Sequence, residues 1–211
     1  MEKHLFLFGG GPPFTANMTK LFVNIANTRN ASVAILVVER DGWEQYMPKY
    51  TKALESLGLY EFTYLPLPST PIEEVVNCLK KCSGIILGGG NTNLYADYIV
   101  DTAISDAIRE AYESGVPVAG FSAGAVISPE LCVISAKDNE QNEFQFRAGL
   151  GLISDVIIAV HYSQWNDEAH LKEAVSRFNS KLNYGIDEDA CIYFLNGQLE
   201  SIEGNGVYSL V

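Results

Sequence analysis

Short runs of apolar residues alternate along this chain with longer segments in which apolar and polar positions are mixed. The run at 32–38 is rich in β-branched residues, which is typical of a strand buried on both faces of a sheet. The mixed segments predict helices. Strands are predicted at 4–8, 32–38, 62–65, 84–87, 116–119, 155–160 and 191–195, and helices at 15–27, 43–57, 72–81 and 168–182.

The alternation of strands and helices predicts an α/β fold with a doubly wound, mostly parallel sheet flanked by helices. Residues 131–146 are polar and are expected to be irregular. The pair Asn196-Gly197 predicts a two-residue turn in a C-terminal β-hairpin. Because the chain has no repeat, linker or low-complexity tract, we expect one domain over residues 1–211.

Two glycine-containing segments, 88–92 and 120–124, follow consecutive predicted strands of this sheet. Ligands of such sheets bind beyond the carboxyl ends of the strands, so both segments are expected at one functional edge. A third glycine run, 9–11, is followed by two prolines and lacks the spacing of a dinucleotide-binding loop. The interpretation of residues 9–11 as a loop that faces a ligand stays open, whereas a nucleotide-binding site is not expected there.

Gly120, Ser122 and Gly124 have the spacing of a sharp strand-to-helix turn that exposes its central residue. Small residues two positions before and after the serine let the two backbones pass. The alcohol of Ser122 can attack a carbonyl once a base removes its proton. Because this motif also arises by chance, its interpretation depends on finding a base.

Three histidines are candidates for that base. His4 opens the first strand, at the edge opposite Ser122. His170 lies in a predicted amphipathic helix among acidic neighbours, which is typical of a solvent-exposed histidine. His161 ends the strand 155–160 on the same edge as Ser122, so elimination leaves it as the base.

A catalytic imidazole also needs an acceptor on its second nitrogen. Asp138 and the three carboxylates of segment 187–189 are candidates, and spacing does not choose between them. The tetrahedral oxyanion needs backbone N–H donors. Ala123 supplies one candidate donor, and Gly90 supplies a second.

Composition narrows the classes of partner. The net charge of −12 and pI near 4.6 disfavour nucleic acid and anionic membranes. No signal peptide or membrane-spanning run is evident, so a cytoplasmic protein is expected. The cysteines lack the ligand pattern of a zinc site and are expected to be free thiols at positions 78, 82, 132 and 191.

The segments 88–92 and 120–125, followed by His161 on strand ends of a doubly wound sheet, together resemble the peptidase E family of serine peptidases. That family comprises the aspartyl dipeptidases and the cyanophycinases. The similarity extends from the first strand to about Ala190. It implies a fold similar to class I glutamine amidotransferases, with serine in the cysteine position.

The resemblance implies Ser122 as the nucleophile, His161 as the base, and the backbone N–H groups of Gly90 and Ala123 as the oxyanion hole. The segment 185–190 is similar to the one that carries the triad glutamate in cyanophycinases.

That similarity makes Glu188 the first choice for the third member of the triad. Asp138, near the position of an aspartate assigned in the dipeptidases, is the second. The resemblance also implies that Asn91 and Gly89 lie near the substrate.

The activity so implied is hydrolysis of small peptides, favouring dipeptides with N-terminal aspartate, without metal or cofactor. A homodimer is an expectation from the family alone. Family dipeptidases carry an arginine-rich helix after the histidine, and this chain has fewer basic residues there. Lys172, Arg177 and Arg147 are the candidates to compensate.

Three alternatives remain open. One is a cyanophycinase-like or other small peptide or amide hydrolase. The second is an α/β-hydrolase esterase, whose triad follows the order serine, acid, histidine; a final Glu188 argues against it. The third is a catalytically silent binding protein on the same scaffold.

Overall fold

A computed structural model describes residues 1–27 and 31–210. Residues 28–30 and 211, which the predicted domain 1–211 includes, lie outside the described residues. The strands, in chain order, are β1 His4–Phe8, β2 Ser32–Val38, β3 Glu61–Leu67, β4 Gly84–Leu87, β5 Val118–Phe121, β6 Leu131–Ile134, β7 Gln145–Ala148, β8 Val156–Val160, β9 Leu182–Ile186, β10 Cys191–Leu195, β11 Gln198–Glu203 and β12 Val207–Ser209.

The α-helices, in chain order, are α1 Ala16–Ala26, α2 Trp43–Tyr46, α3 Pro48–Glu55, α4 Ile72–Leu79, α5 Thr92–Tyr95, α6 Ala103–Glu113, α7 Ala123–Val126 and α8 Glu168–Phe178. A π-helix covers Ala96–Val100 and a 3₁₀-helix covers Ala136–Asp138. None of the helices in the described part of the chain combines the length and apolar character that a membrane crossing requires.

The central sheet has seven strands in the order β11-β10-β1-β5-β4-β2-β3. Strands β1, β5, β4, β2 and β3 are parallel, and the hairpin β10–β11 joins β1 in antiparallel pairing. This confirms the predicted mostly parallel sheet and its C-terminal hairpin. Because the parallel strands share a direction, the segments that follow β1, β5, β4 and β2 lie along one edge in that order.

Alternate side chains of β1 enter opposite halves of the core, as strand geometry requires. Leu5 and Leu7 belong to a cluster that includes residues of α4 and α6. Phe6 and Phe8 belong to the cluster that includes residues of α1 and α3. Helices therefore cover both faces of the sheet, as predicted.

A second sheet, ordered β12-β9-β8, carries the strand that ends before His161. Its residues Val160 and Ile186 belong to the same apolar cluster as Leu5 of the central sheet. On its other face, Ile157 packs in a cluster with residues of α8. The expectation that 155–160 is a strand of the doubly wound sheet is wrong, because β8 pairs with β9 instead.

Two of the predicted helices differ in extent from the helices in the structure. The helix predicted at 43–57 is divided at Met47, because Pro48 has no N–H to continue the hydrogen-bond ladder. The helix predicted at 168–182 ends at Phe178, where Asn179 adopts a left-handed conformation with φ 50°. Leu182 then opens β9.

The segment expected to be irregular is also more ordered than predicted. Within 131–146, the strand β6 pairs in antiparallel fashion with β7, and a 3₁₀-helix carries Asp138 between them. Residues 92–113, to which the sequence pattern assigned no element, form α5, the π-helix and α6.

Candidate active site

The segment 120–124 forms a sharp turn between β5 and α7. Ser122 has φ 48° and ψ −109°, a conformation that non-glycine residues rarely adopt. A Cβ atom added to Gly120 would lie 2.5 Å from the carbonyl oxygen of Gly124, and one added to Gly124 would lie 2.3 Å from that of Leu87. The requirement for small residues on both sides of Ser122 is therefore confirmed.

Backbone hydrogen bonds fix this turn between two strands of the central sheet. The N–H of Ser122 donates to the carbonyl oxygen of Phe8 over 3.0 Å, and the N–H of Gly124 donates to that of Gly88 over 3.1 Å. The serine is consequently held at the carboxyl edge, between the segments that follow β1 and β4.

His161 reaches the serine from the second sheet. Its N–H donates to the carbonyl oxygen of Gly9 over 2.9 Å, which ties the end of β8 to the end of β1. Its Nε2 atom lies 2.8 Å from Oγ of Ser122. Its ring stacks on Trp165, with 4.5 Å between ring centroids.

Glu188 lies on the other side of the imidazole, with Oε1 2.8 Å from Nδ1 of His161. An ionised carboxylate only accepts hydrogen bonds, so Nδ1 carries the proton and Nε2 accepts from the hydroxyl of Ser122. A Cβ atom on Gly10 would lie 2.7 Å from Cα of Glu188, so this glycine lets the acid approach the end of β1.

Asp138 lies in the same region but has a different partner. Its Oδ2 atom accepts a short hydrogen bond from the hydroxyl of Thr92. Burial raises the pKa of Asp138 to about 6, against the opposing effects of the Thr92 hydrogen bond and the charge of His161, while Asp167 adds to the increase. The structure thus brings together Ser122, His161 and Glu188, with Asp138 beside them.

The loop 88–90 lies against the serine. A Cβ atom on Gly89 would lie 3.3 Å from that of Ser122, and the N–H of Gly89 donates to the hydroxyl of Tyr50 over 3.0 Å. Among the described residues, no group accepts a hydrogen bond from the N–H of Gly90 or of Ala123. Both donors are therefore available to a bound oxyanion.

The two predicted substrate-binding residues differ in position. Gly89 lines the cavity that contains Ser122. Asn91 is exposed, and its side-chain oxygen accepts from the N–H of Leu94 over 3.1 Å, which caps α5. Asn91 thus orders the segment that follows the loop and does not line this cavity.

Two cavities adjoin His161. The first has a volume of about 310 Å³ and is bounded by Arg40, Tyr50, Gly90, Ser122, Asp138 and Trp165. The second has a volume of about 520 Å³ and is bounded by Pro13, Phe14, Thr15, Glu188 and Asp189. Gly11, Tyr46 and His161 border both cavities, so the imidazole lies between the two spaces.

Sequence reasoning missed the cavity residues Arg40, Tyr46, Tyr50 and Trp165 as site residues. Arg40 comes two residues after β2, at the functional edge, so its place after a buried strand was a usable signal. Trp165 comes four residues after the predicted base, a spacing that brings it back over the imidazole.

The three basic residues expected to compensate for the missing arginines do not line this cavity. Lys172 and Arg177 form ion pairs along α8. Arg147 pairs with Asp97 and Asp101. Their charges are therefore occupied elsewhere.

The remaining histidines lie outside the site. His4 is buried at the opposite end of β1, with Nδ1 2.7 Å from the hydroxyl of Tyr193. The expectation that His170 is solvent-exposed is wrong, because its ring is buried in contact with Phe144, 5.2 Å between centroids. Burial lowers the pKa of His170, against the opposing charges of Asp167 and Glu173.

The four cysteines are free thiols, as expected, and three of them are buried. Within residues 1–27 and 31–210, no group of three or more histidine, cysteine, aspartate or glutamate side chains is arranged to hold a metal ion.

Comparison with known proteins identifies the family of this chain. The model of peptidase family S51 matches residues 5–202. A cyanophycinase of Nostoc sp. (strain PCC 7120 / SAG 25.82 / UTEX 2576) is 28% identical over 170 residues, which is 77% of this chain and 57% of that protein. The chain spans about half the length of the curated cyanophycinases it matches, from 44% to 57%.

Solved structures show the same fold. A peptidase from an acI-B1 Actinobacterium aligns with a TM-score of 0.72 at 20% identity, over 100% of this chain and 98% of that one. A protein of Listeria monocytogenes EGD-e named for peptidase E aligns with a TM-score of 0.70 at 22% identity, over 100% of both chains.

Proposed function

The chain belongs to peptidase family S51, and from that premise we propose that it hydrolyses small peptides through an acyl-enzyme on Ser122. The observation that carries the proposal is the relay of two 2.8 Å contacts, from Ser122 to His161 and from His161 to Glu188, beside the 310 Å³ cavity. We expect dipeptides with N-terminal aspartate to be the preferred substrates.

Acylation begins when Nε2 of His161 accepts the hydroxyl proton of Ser122 as Oγ attacks the peptide carbonyl carbon. The resulting imidazolium keeps its Nδ1–H bonded to Glu188, whose negative charge stabilises it. Collapse of the tetrahedral intermediate breaks the C–N bond, and His161 gives its Nε2 proton to the departing amine. The acyl group is then esterified to Ser122.

Deacylation reverses these roles with water. His161 removes a proton from the water that attacks the ester, and it returns that proton to Oγ of Ser122 as the acid product leaves. In both tetrahedral intermediates, the N–H groups of Gly90 and Ala123 bind the oxyanion. Their availability supports this role.

The size of the site supports short substrates. Ser122 borders a cavity of about 310 Å³, and a second cavity of about 520 Å³ lies on the other side of His161. A dipeptide bound across His161, with one residue on each side of the scissile bond, therefore fits within this site.

A cyanophycinase-like activity is the second candidate, favoured by the 28–30% identity to proteins of that name. Hydrolysis of cyanophycin, the polymer from which those relatives take their name, is the direct test of this candidate. Release of soluble products from cyanophycin faster than from Asp-Leu would favour this candidate over the dipeptidase.

The central test is hydrolysis of Asp-Leu by the wild type and by Ser122→Ala. The variant should lose all measurable turnover and keep the far-UV circular dichroism and thermal midpoint of a folded protein. A fluorophosphonate probe should label the wild type and not the variant.

Ser56→Ala is the matched control, because Ser56 is an exposed serine on the turn after α3. It should retain both turnover and labelling. Full Asp-Leu turnover in Ser122→Ala would overturn the mechanism.

A further inference from the structure

Arg40 is a cation without an acidic partner at the edge of the proposed active site. Its guanidinium carbon lies 5.2 Å from the ring centroid of Tyr46, and the residue borders the cavity of Ser122. Among the described residues, no carboxylate forms an ion pair with it. Stacking on a ring orients a guanidinium and leaves its N–H donors unused.

The acidic residues next to Arg40 in sequence do not neutralise it. The carboxylate of Glu39 accepts a short hydrogen bond from the hydroxyl of Ser69. Asp41 is exposed and forms no ion pair in the described part of the chain. The positive charge at the cavity is therefore free to meet a ligand.

We infer that Arg40 binds the side-chain carboxylate of the substrate residue that becomes the acyl group, and that it thereby sets a preference for N-terminal acidic residues. This inference rests on the proposed peptidase function. It assigns the acid-binding role to the segment after β2 and not to the helix that follows His161.

The order of the strands gives the direction in which the substrate lies. His161 is tied to Gly9, after β1, on one side of β5. Arg40 follows β2, on the other side, beyond the loop 88–90 that follows β4. Ser122 therefore stands between the imidazole and the guanidinium.

The chemistry then separates the two halves of the substrate. Because His161 must give a proton to the departing amine, that amine lies on the side of His161. The acyl residue extends from Ser122 toward the opposite side, where Arg40 is. A guanidinium can bind a carboxylate with two parallel hydrogen bonds, which neutral side chains of the same shape cannot match.

Asp138 restricts where a substrate carboxylate can lie in this cavity. It borders the same cavity and carries a negative charge at neutral pH. A substrate carboxylate placed beside Asp138 would be repelled. Asp138 is near the imidazole and Thr92, whereas the charge of Arg40 acts on Tyr50 and Tyr95. An acidic side chain is therefore accommodated at the end of the cavity that Arg40 borders.

The kinetic test compares Asp-Leu with Asn-Leu, which has nearly the same shape and no side-chain charge. Wild type should prefer Asp-Leu in kcat/KM. Arg40→Gln should reduce the ratio of the two values roughly 10- to 100-fold, as expected for loss of a charge-assisted hydrogen bond. Arg40→Lys should retain part of the preference, because it keeps the charge and loses the planar fork.

Lys49→Gln is the matched control. Lys49 lies over the same ring of Tyr46, 4.3 Å from its centroid, and is not among the residues that border the cavity. It should leave the ratio unchanged. A ratio unaffected by Arg40→Gln, or reduced equally by Lys49→Gln, would overturn the assignment.

Calorimetric binding in the Ser122→Ala background separates the inference from the proposed function. The inference predicts that Asp-Leu binds this variant and that adding Arg40→Gln weakens its binding at least tenfold more than that of Asn-Leu. Binding of this kind without turnover by the wild type would refute the peptidase function alone. Turnover with no dependence on Arg40 would refute the inference alone, and absence of both binding and turnover would refute the two together.

Discussion

Two carboxylates stand near the imidazole, and their surroundings differ. Glu188 is half exposed, with 51% of its side chain accessible, and it contacts Nδ1 of His161. Asp138 is more buried and bonded to Thr92, and its pKa is raised. These environments suit Glu188 to orient the imidazole. They leave Asp138 with a charge whose burial outweighs the stabilising effects of Thr92 and His161.

Glu188→Gln is expected to lower kcat for Asp-Leu by roughly 10²- to 10⁴-fold, because the amide favours the wrong tautomer and cannot stabilise the imidazolium. Asp138→Asn should reduce kcat far less. Steady-state kinetics of the two purified variants at pH 8 make the comparison. A larger loss of kcat in Asp138→Asn would transfer the role of third member to Asp138.

Asp138→Asn should also stabilise the folded protein at pH 8, by roughly 1–3 kcal/mol. The pKa of Asp138 is about 6 in the folded state, above that of an unfolded aspartate, so folding binds a proton between about pH 4 and 6. Wild-type stability is therefore lost as pH rises through that window. An asparagine oxygen can still accept from Thr92.

Urea unfolding at pH 8 and pH 4.5 measures this effect. The difference between wild type and Asp138→Asn should be largest at pH 8 and small at pH 4.5. A variant that is less stable than wild type at pH 8 would contradict the assigned cost of ionising Asp138.

At the scale of single residues, the sequence identifies candidate site residues whose roles follow from local spacing. Ser122 is identified by the glycines around it, and His161 by the elimination of two other histidines. The choice between Asp138 and Glu188 depends on how two loops reach the imidazole, which spacing does not contain. Arg40 belongs to no recognisable motif, and only its position after a strand indicates that it lies near the site.

At the scale of elements, the C-terminal hairpin has a structural task. The carboxylate of Glu203, on β11, accepts hydrogen bonds from the hydroxyl of Thr15 over 2.6 Å and from the N–H groups of Asn17 and Met18 over 2.9 and 3.0 Å. Thr15, the residue before α1, makes no side-chain cap of its own. A side chain from a distant strand thus caps the first helix.

Glu203→Gln is expected to destabilise the protein by roughly 0.5–2 kcal/mol at neutral pH, because a charged cap is replaced by a neutral one. Burial acts to raise the pKa of Glu203, but the hydrogen bonds from Thr15, Asn17 and Met18 outweigh it and lower the pKa. The contribution is therefore present above the pKa of an unfolded glutamate and lost as pH falls.

Glu200→Gln, an exposed change on the same strand, is the control for this experiment. Chemical denaturation at pH 7 should show a lower midpoint for Glu203→Gln and no shift for Glu200→Gln. Equal midpoints in both variants would remove the capping role.

Element boundaries follow from the sequence where one local signal dominates. The strand Gly84–Leu87 is predicted without error because apolar residues end at a glycine run. The helix predicted at 168–182 extends too far, because residues 179–182 preserve polar and apolar spacing while a left-handed Asn179 has already ended the helix. The pairing of β6 with β7 could not be predicted from polar composition, since strand pairing depends on partners distant in sequence.

At the scale of the whole molecule, the proposed active site is divided between two sheets. The nucleophile follows a strand of the central sheet, and the histidine follows a strand of the second. Strand β8 has the uniformly apolar composition of a central strand, so its pattern does not indicate that it pairs outside the central sheet. The shared apolar cluster of the two sheets explains how His161 nevertheless reaches Ser122.

Because both sheets contribute to one cluster, we expect them to unfold together. Trp43→Phe leaves Trp165, which stacks on His161, as the single tryptophan and as a reporter on the second sheet. In this variant, tryptophan fluorescence, far-UV circular dichroism and Asp-Leu turnover should lose their native values at the same urea concentration. Loss of fluorescence and turnover before circular dichroism would indicate that the second sheet detaches first and that the chain is not one cooperative unit.

The strained turn at Ser122 has a consequence for how this protein would change over generations. With φ 48° and ψ −109°, the position suits glycine and costs every other residue backbone energy. Ser122→Ala removes the nucleophile and keeps that cost, whereas Ser122→Gly removes both and should melt at a higher temperature. In a lineage released from selection for catalysis, position 122 would drift toward glycine, whereas selection for the proposed activity would keep serine there.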